Sequence, residues 1–170
     1  MSRFNSNQFS CIIAPGDNMR VLIQRVSHAS CTVDGNITGQ IQRGYLLFVG
    51  ITHSDTEHIC DLMADKIINL RINDDENGKM NLSINDVGGD ILSISQFTLY
   101  ANCVKARRPG FTESAGRDQA IHLYDYFNQT LRNKGMKVEE GIFGADMKID
   151  LLNDGPITIM LDSEVIFNGK

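Results

Sequence analysis

The chain has 170 residues, 42% of them hydrophobic and 22% charged, the size and balance of one soluble domain with its own core. A net charge of −5 argues against broad, sequence-independent wrapping of nucleic acid while leaving room for a small contact with one RNA end, and no DNA partner is expected; no stretch nears the ~20 apolar residues that a membrane-spanning helix needs. Cys11, Cys31, Cys60 and Cys103 form no CxxC pair, and His28, His53, His58 and His122 fall in no HExxH pattern. These residues therefore read as free thiols in a reducing cytoplasm, with no metal site.

In chain order, residues 1–18 are polar, carry Pro15-Gly16 and show no periodicity. They read as an extension, disordered or loosely attached, before a domain spanning 19–170. Val21-Leu22-Ile23 and Cys31-Thr32-Val33 are strand segments leading into Asp34-Gly35, a pair suited to a tight hairpin turn. A return strand follows at Ile37 to Ile41, then a buried strand from Tyr45 to Ile51. Ser54-x-x-Glu57 reads as a capping box opening a helix, with Ile59, Leu62, Met63, Ile67 and Leu70 on its apolar face. Asn77-Gly78 and Gly88-Gly89 mark turns around a short strand near Met80 to Ile84, and Ile91 to Tyr100 reads as another strand. A second helix is expected from about Gly116 to Lys134, burying Ala120, Tyr124, Phe127 and Leu131 and stopping at Gly135. Strands at Val138 to Phe143, Met147 to Leu152 and Ile157 to Leu161 complete a single α/β domain of mainly antiparallel sheets packed with two principal helices.

The sequence carries no G-x-S-x-G elbow, no P-loop and no dinucleotide fingerprint. Three segments are candidates for chemistry. In Ser95-Gln96-Phe97-Thr98-Leu99-Tyr100, polar groups interrupt a strand that its neighbours would bury. As a strand, Gln96 and Thr98 share one face and Ser95 and Phe97 the other. Two readings stand together: a pocket lined by these groups, or hydrogen bonds to neighbouring strands. In Asn153-Asp154-Gly155-Pro156-Ile157-Thr158, the proline is either a turn device at a strand's start or a cis bend exposing backbone carbonyls to a ligand. Between Asn102 and Arg117, Lys105, Arg107, Arg108 and Arg117 face a single acid, Glu113, so this loop is either a solvated basic surface or a phosphate contact.

The first of these segments matches the SQFTLY signature of the D-aminoacyl-tRNA deacylases, and the second resembles their NxGPVT signature, with Ile157 in place of valine. Ile23-Gln24-Arg25-Val26, Asn69-Leu70-Arg71-Ile72, Gly78 through Ser83 and Gly141 through Met147 resemble the family in the same order, so the likeness covers residues 19 to 163. Ala106 and Gly110 depart from the glycine and serine common in the basic loop, KGxRPSF in many relatives. The SQFTL sequence is similar to the chiral-proofreading branch, not to the animal-type branch with its PQATL-like motif.

The resemblance implies a cytoplasmic hydrolase that cleaves the ester of D-aminoacyl-tRNA, and of glycine mischarged on tRNA, with neither metal nor cofactor. It implies catalytic residues Ser95, Gln96, Phe97 and Thr98, and substrate contacts at Arg25, Gly155, Pro156, Phe143, Gly144 and Met147, the last three in a region that holds the terminal adenosine. Phe143 and Met147 are equally readable as core packing. It further implies a homodimer in which a cis Gly155-Pro156 enters the partner's pocket, braced by Arg25 hydrogen-bonding the loop carbonyls. Lys105, Arg107 and Arg108 are expected to meet the acceptor end of tRNA. Amides near Gln96 to Thr98 suit a developing oxyanion, water is the expected nucleophile with help from the terminal 2′-hydroxyl, and Thr98 either attacks or positions. The competing classes are a non-catalytic RNA 3′-end binding module and an esterase with a hidden Cys or Ser nucleophile.

Overall fold

A computed structural model describes residues 18–104 and 106–168. The expectations for residues 1–17 and for Lys105 lie outside the described residues.

Strand β1 (Arg20–Val33) is the spine of the sheet. Along one edge it pairs first with β3 (Gly44–Gly50) and then with β2 (Asn36–Ile41); along the other it pairs from Arg20 to Thr32 with β8 (Lys148–Asp162). β3 continues the sheet in parallel to β6 (Asp90–Ser95), which is parallel to β7 (Val138–Glu140). These parallel steps require crossovers. Helix α1 (Glu57–Asn69) lies between β3 and β6, and α2 (Arg117–Asn133) between β6 and β7. β4 (Asn73–Asp74) and β5 (Met80–Leu82) form a small separate ladder, and α3 (Ser163–Asn168) ends the described chain.

The apolar run of β3 follows from burial on both faces, since Tyr45, Leu46 and Leu47 are all fully buried. Tyr45, Leu47 and Val49 join Val21 and Ile23 against Ile59, Met63, Ile67, Tyr124, Phe127 and Leu131 of the two helices. Leu46 faces a second cluster with Val26, Ala29, Cys31, Ile41, Leu92 and Ile94, which Met147, Ile149 and Leu151 flank.

The structure corrects five local expectations. The two N-terminal strand segments are one strand. The helix cap is Thr56, whose hydroxyl accepts from Ile59 N; the Asp55 carboxylate holds Thr52 N at 2.7 Å and keeps the chain in a turn past Ser54. The strand from Ile91 ends at Ser95, and Phe97–Tyr100 is a 3-10 turn. Its cause is tertiary: Tyr100 buries its ring over Gly50, where a Cβ would lie 2.9 Å from the ring, and donates to the Gly50 carbonyl at 3.2 Å. The last two expected strands are joined in β8, whereas the strand expected to reach Phe143 stops at Glu140. At Gly141 a Cβ would meet Met147 Sδ at 2.5 Å and Cys31 Sγ at 3.3 Å, and the chain turns through Gly144 at φ +76°.

Candidate active site

The parallel strands β3 and β6 end side by side, and the backbone turns away as they finish. Gln96 N donates to Val49 O at 2.7 Å, the last bond of the ladder, and Leu99 N donates to Gln96 O at 3.3 Å. The Gln96 and Leu99 amides are thereby committed. Phe97 and Thr98 occupy the opening positions of the 3-10 turn, where amides have no partner within the turn. These two N–H groups are the ones suited to an oxyanion. The Gln96 side-chain amide donates to Thr98 Oγ1. An amide nitrogen cannot take up a proton, so this contact orients the hydroxyl without activating it.

Ser95, Gln96 and Phe97 form one wall of a cleft of about 250 Å³, and Phe143, Gly144, Ala145, Asp146 and Met147 form the other. Ile94 and Ile149 close its floor, and Thr98 is not among the lining residues. Phe97 is 55% exposed. Phe143 and Met147 do both things the sequence allowed. Phe143 packs on the helix-side core, its ring 6.0 Å from that of Tyr124, and Met147 packs on the second cluster, while both line the cleft.

Gly155-Pro156 stands elsewhere, on the outer edge of the sheet. In the β1–β8 ladder Gln24 pairs with Thr158 and Val26 with Asn153, so Asp154, Gly155, Pro156 and Ile157 bulge out opposite Arg25 alone. The Gly155-Pro156 bond is cis and Gly155 has φ +119°. Asn153 ties the base of the bulge, donating through Nδ2 to Thr158 Oγ1 at 2.8 Å and accepting from Ile157 N at 3.3 Å. Arg25 is only 6% exposed. Its Nη1 donates to Ile72 O at 2.8 Å and lies 3.3 Å from Asp74 Oδ2. Its Nε lies 3.2 Å from Asp154 Oδ2, an ion-pair distance with the N–H off the contact axis. The brace thus acts on the carboxylate preceding Gly155, with Ile72 supplying the bonded carbonyl. Asn153 and Asp154 fall within the candidate segment read from the sequence but carry no role there, although their place beside Gly155-Pro156 was the available signal.

Arg107 and Arg108 are exposed on a loop closed by the bridge between Asn102 and Gly110. Arg108 lines a shallow groove there with Val104, Ala106 and Thr112. Among the described residues no group of three or more His, Cys, Asp or Glu side chains is placed to hold a metal ion, and no helix is long and apolar enough to cross a membrane.

The family model for D-Tyr-tRNA(Tyr) deacylase matches residues 22–162. The chain belongs to the D-aminoacyl-tRNA deacylase family. The D-aminoacyl-tRNA deacylase of Geobacillus sp. (strain WCH70) is 54% identical over 146 residues, 86% of this chain and 96% of that protein. The D-aminoacyl-tRNA deacylase of Bacillus velezensis is 56% identical over the same length, covering 99% of that protein. Among solved structures, one described as c-Myc DNA Unwinding Element Binding Protein superposes with a TM-score of 0.79 at 38% identity, covering 84% of this chain and 97% of the other. One described as a probable eukaryotic D-amino acid tRNA deacylase superposes with a TM-score of 0.74 at 19% identity, over 85% and 99% of the two chains, and shares the fold.

Proposed function

We propose that this protein hydrolyses the ester of D-aminoacyl-tRNA in the cytoplasm, releasing the free D-amino acid and tRNA, and that it also accepts glycine mischarged on tRNA. The observation that carries the reading is the cleft joining Ser95-Gln96-Phe97 to Phe143-Gly144-Met147. The terminal adenosine lies along the Phe143 wall, and the ester carbonyl faces the Phe97 and Thr98 amides. An aminoacyl ester is already activated, so positioning of water and stabilisation of the oxyanion suffice, with the terminal 2′-hydroxyl assisting. Thr98 positions Gln96 and forms no covalent bond.

Chirality is read by Gly155-Pro156 of a second subunit, which enters the cleft and presents main-chain carbonyls to the α-ammonium. Its geometry supports delivery in trans: the bulge is exposed, it lies outside the chain's own cleft, and β8 pairs only with β1 among the described strands. Leu152 and Met160, 55% and 48% exposed on the same strand, supply apolar surface for a homodimer. Lys105, Arg107 and Arg108 contact phosphates of the acceptor end.

Incubation with D-Tyr-tRNA and L-Tyr-tRNA tests the reading. Loss of the D-ester with the L-ester spared is expected. Binding of both without turnover makes the chain an RNA 3′-end binding module instead. Turnover abolished by a fluorophosphonate or iodoacetamide label assigns an esterase with a Ser or Cys nucleophile.

A further inference from the structure

A second recess, of about 380 Å³, opens beside the cleft and shares Phe97, Phe143 and Gly144 with it. Its remaining walls are Phe111, Ser114, Ala115, Arg117 and Ala120. The volume falls within the range of small-ligand sites, about 300–1,000 Å³. Phe97 and Phe111 meet edge to face, with centroids 4.9 Å apart and planes at 71°. One ring therefore offers a flat surface while the other backs it.

Arg117 stands at the junction of the two recesses. Its guanidinium carbon is 5.8 Å from the Phe143 ring centroid, and its Nη1 is 2.9 Å from the point that a Cβ on Gly144 would occupy. The missing side chain at Gly144 is what lets the cation lie on the shared wall. The recess is also built in advance. Thr52 Oγ1 donates to Glu113 O, His53 Nε2 contacts Thr112 O at 2.9 Å, and Ala115 N donates to Ile51 O at 2.9 Å, fixing the segment that carries Phe111.

We infer that this recess binds the nucleotide that precedes the terminal adenosine, its base against Phe97 and Phe111 and the connecting phosphate on Arg117. The inference rests on the deacylase reading above. Aromatic faces interleaved with a cation are how proteins hold single-stranded nucleic acid without reading sequence. Continuity with the cleft selects the adjoining nucleotide as the occupant. A phosphodiester between two nucleosides must cross the shared wall, and that wall is where the guanidinium sits. The D-tyrosyl side chain of the test esters, by contrast, is neutral and brings no anion for Arg117.

The test compares D-tyrosyl esters of adenosine, of the dinucleotide cytidylyl-adenosine, and of the same dinucleotide lacking the cytosine base. Wild-type protein is expected to show a KM on the order of tenfold lower for the dinucleotide than for adenosine, with kcat unchanged. Removing the base forfeits most of that gain without altering the protein. Phe111→Ala and Arg117→Gln are expected to lose the gain while hydrolysing the adenosine ester within about twofold of wild type. An equal KM for adenosine and dinucleotide in the wild type, or a gain retained by both variants, overturns the proposal. So does a change in preference among D-side chains on adenosine caused by Phe111→Ala, which would make the recess an amino-acid pocket. Failure of the wild type on every ester overturns the deacylase reading itself, a result distinct from the others.

Discussion

Replacing Gly155 by alanine probes the Gly-Pro bulge through one methyl group. At φ +119° an L-residue is strained, costing about 1–3 kcal/mol. The new Cβ also lies 2.9 Å from Ile157 Cγ1, 3.1 Å from Ile157 N and 3.2 Å from Arg25 Nη2. The Ile157 nitrogen is backbone. The Arg25 head is buried and held by Ile72 O, Asp74 and Asp154, so it has little room to retreat. These contacts place the cost toward the upper end, about 2–3 kcal/mol. At about 2–4 °C per kcal/mol for a domain this size, the melting temperature should fall by about 4–12 °C. The folded fraction at 25 °C remains essentially complete if the starting stability is about 5–15 kcal/mol. If the bulge reads chirality in a partner's cleft as proposed, activity measured there should nevertheless fall by more than about tenfold, because a displaced bulge no longer fits. Thermal denaturation and single-turnover hydrolysis of D-Tyr-tRNA read the two effects separately. A Gly155→Ala protein with wild-type melting and wild-type hydrolysis would refute both the strain argument and the role of the bulge.

Thr98→Ala should keep substantial activity, with no acyl-enzyme at any time point by mass spectrometry, because the hydroxyl's contact is an amide and not a base; an ester trapped on Thr98 would reverse that mechanism. Charge reversal at Arg107 and Arg108 should raise KM for tRNA steeply with salt while leaving a minimal aminoacyl-adenosine substrate unaffected; equal loss on both substrates would mean that the loop shapes the pocket. Chelation with EDTA should leave turnover intact, and a loss restored by zinc would contradict the absence of metal from the mechanism. Burial, with Asp55, Asp61 and Glu57 adding to it, pushes the Cys60 thiol up to about 12, and burial pushes Tyr45 up to about 12 against its hydrogen bond from Asn73. Both groups are raised and neutral in the folded state, so their contribution is complete below the unfolded values near 9 and 10 and is lost as pH rises toward 12. Urea midpoints should therefore fall from about pH 9 upward, and Cys60→Ala should remove the earliest part of that fall; a midpoint flat to pH 11 would contradict it.

Elements governed by local pattern were legible in the sequence. The β3 run declares burial on both faces, and α2 shows its apolar stripe and its stop at Gly135, which has φ +91°. Elements decided by distant contacts were not. Nothing local in Phe97-Thr98-Leu99-Tyr100 announces a 3-10 turn, because its cause is the seat for Tyr100 on Gly50, some fifty residues earlier. The union of two expected strands in β8 depends on a partner, β1, long enough to carry both halves across a bulge. At the site, both signature segments were identifiable as hexapeptides. Their separation into a cleft wall and an outer-edge bulge required the fold. Phe111 closes the basic-loop pattern and Arg117 belongs to no signature, and they line the recess beside the cleft because Ile51, Thr52 and His53 anchor the 112–115 segment between them.

The pairing of β1 with β8 joins the first described strand to the last, with Arg20 opposite Asp162, 142 positions apart. Closing so long a loop is slow and entropically costly compared with forming the β1–β2 hairpin or the β3–α1–β6 unit. On a ribosome, Arg25 emerges well over a hundred residues before Asp154 and Gly155, so the bulge takes its place long after its brace has been made. Until then β1 presents a 13-residue unpaired edge, from Arg20 to Thr32, to the crowded surroundings of a nascent chain. Chains that stop before residue 148 keep the cleft wall at Ser95-Gln96-Phe97 but lack both the Gly155-Pro156 bulge and the strand that covers this edge. An unpaired strand edge of that length is a template for pairing with other chains, so the last strand to be made also closes the sheet against aggregation.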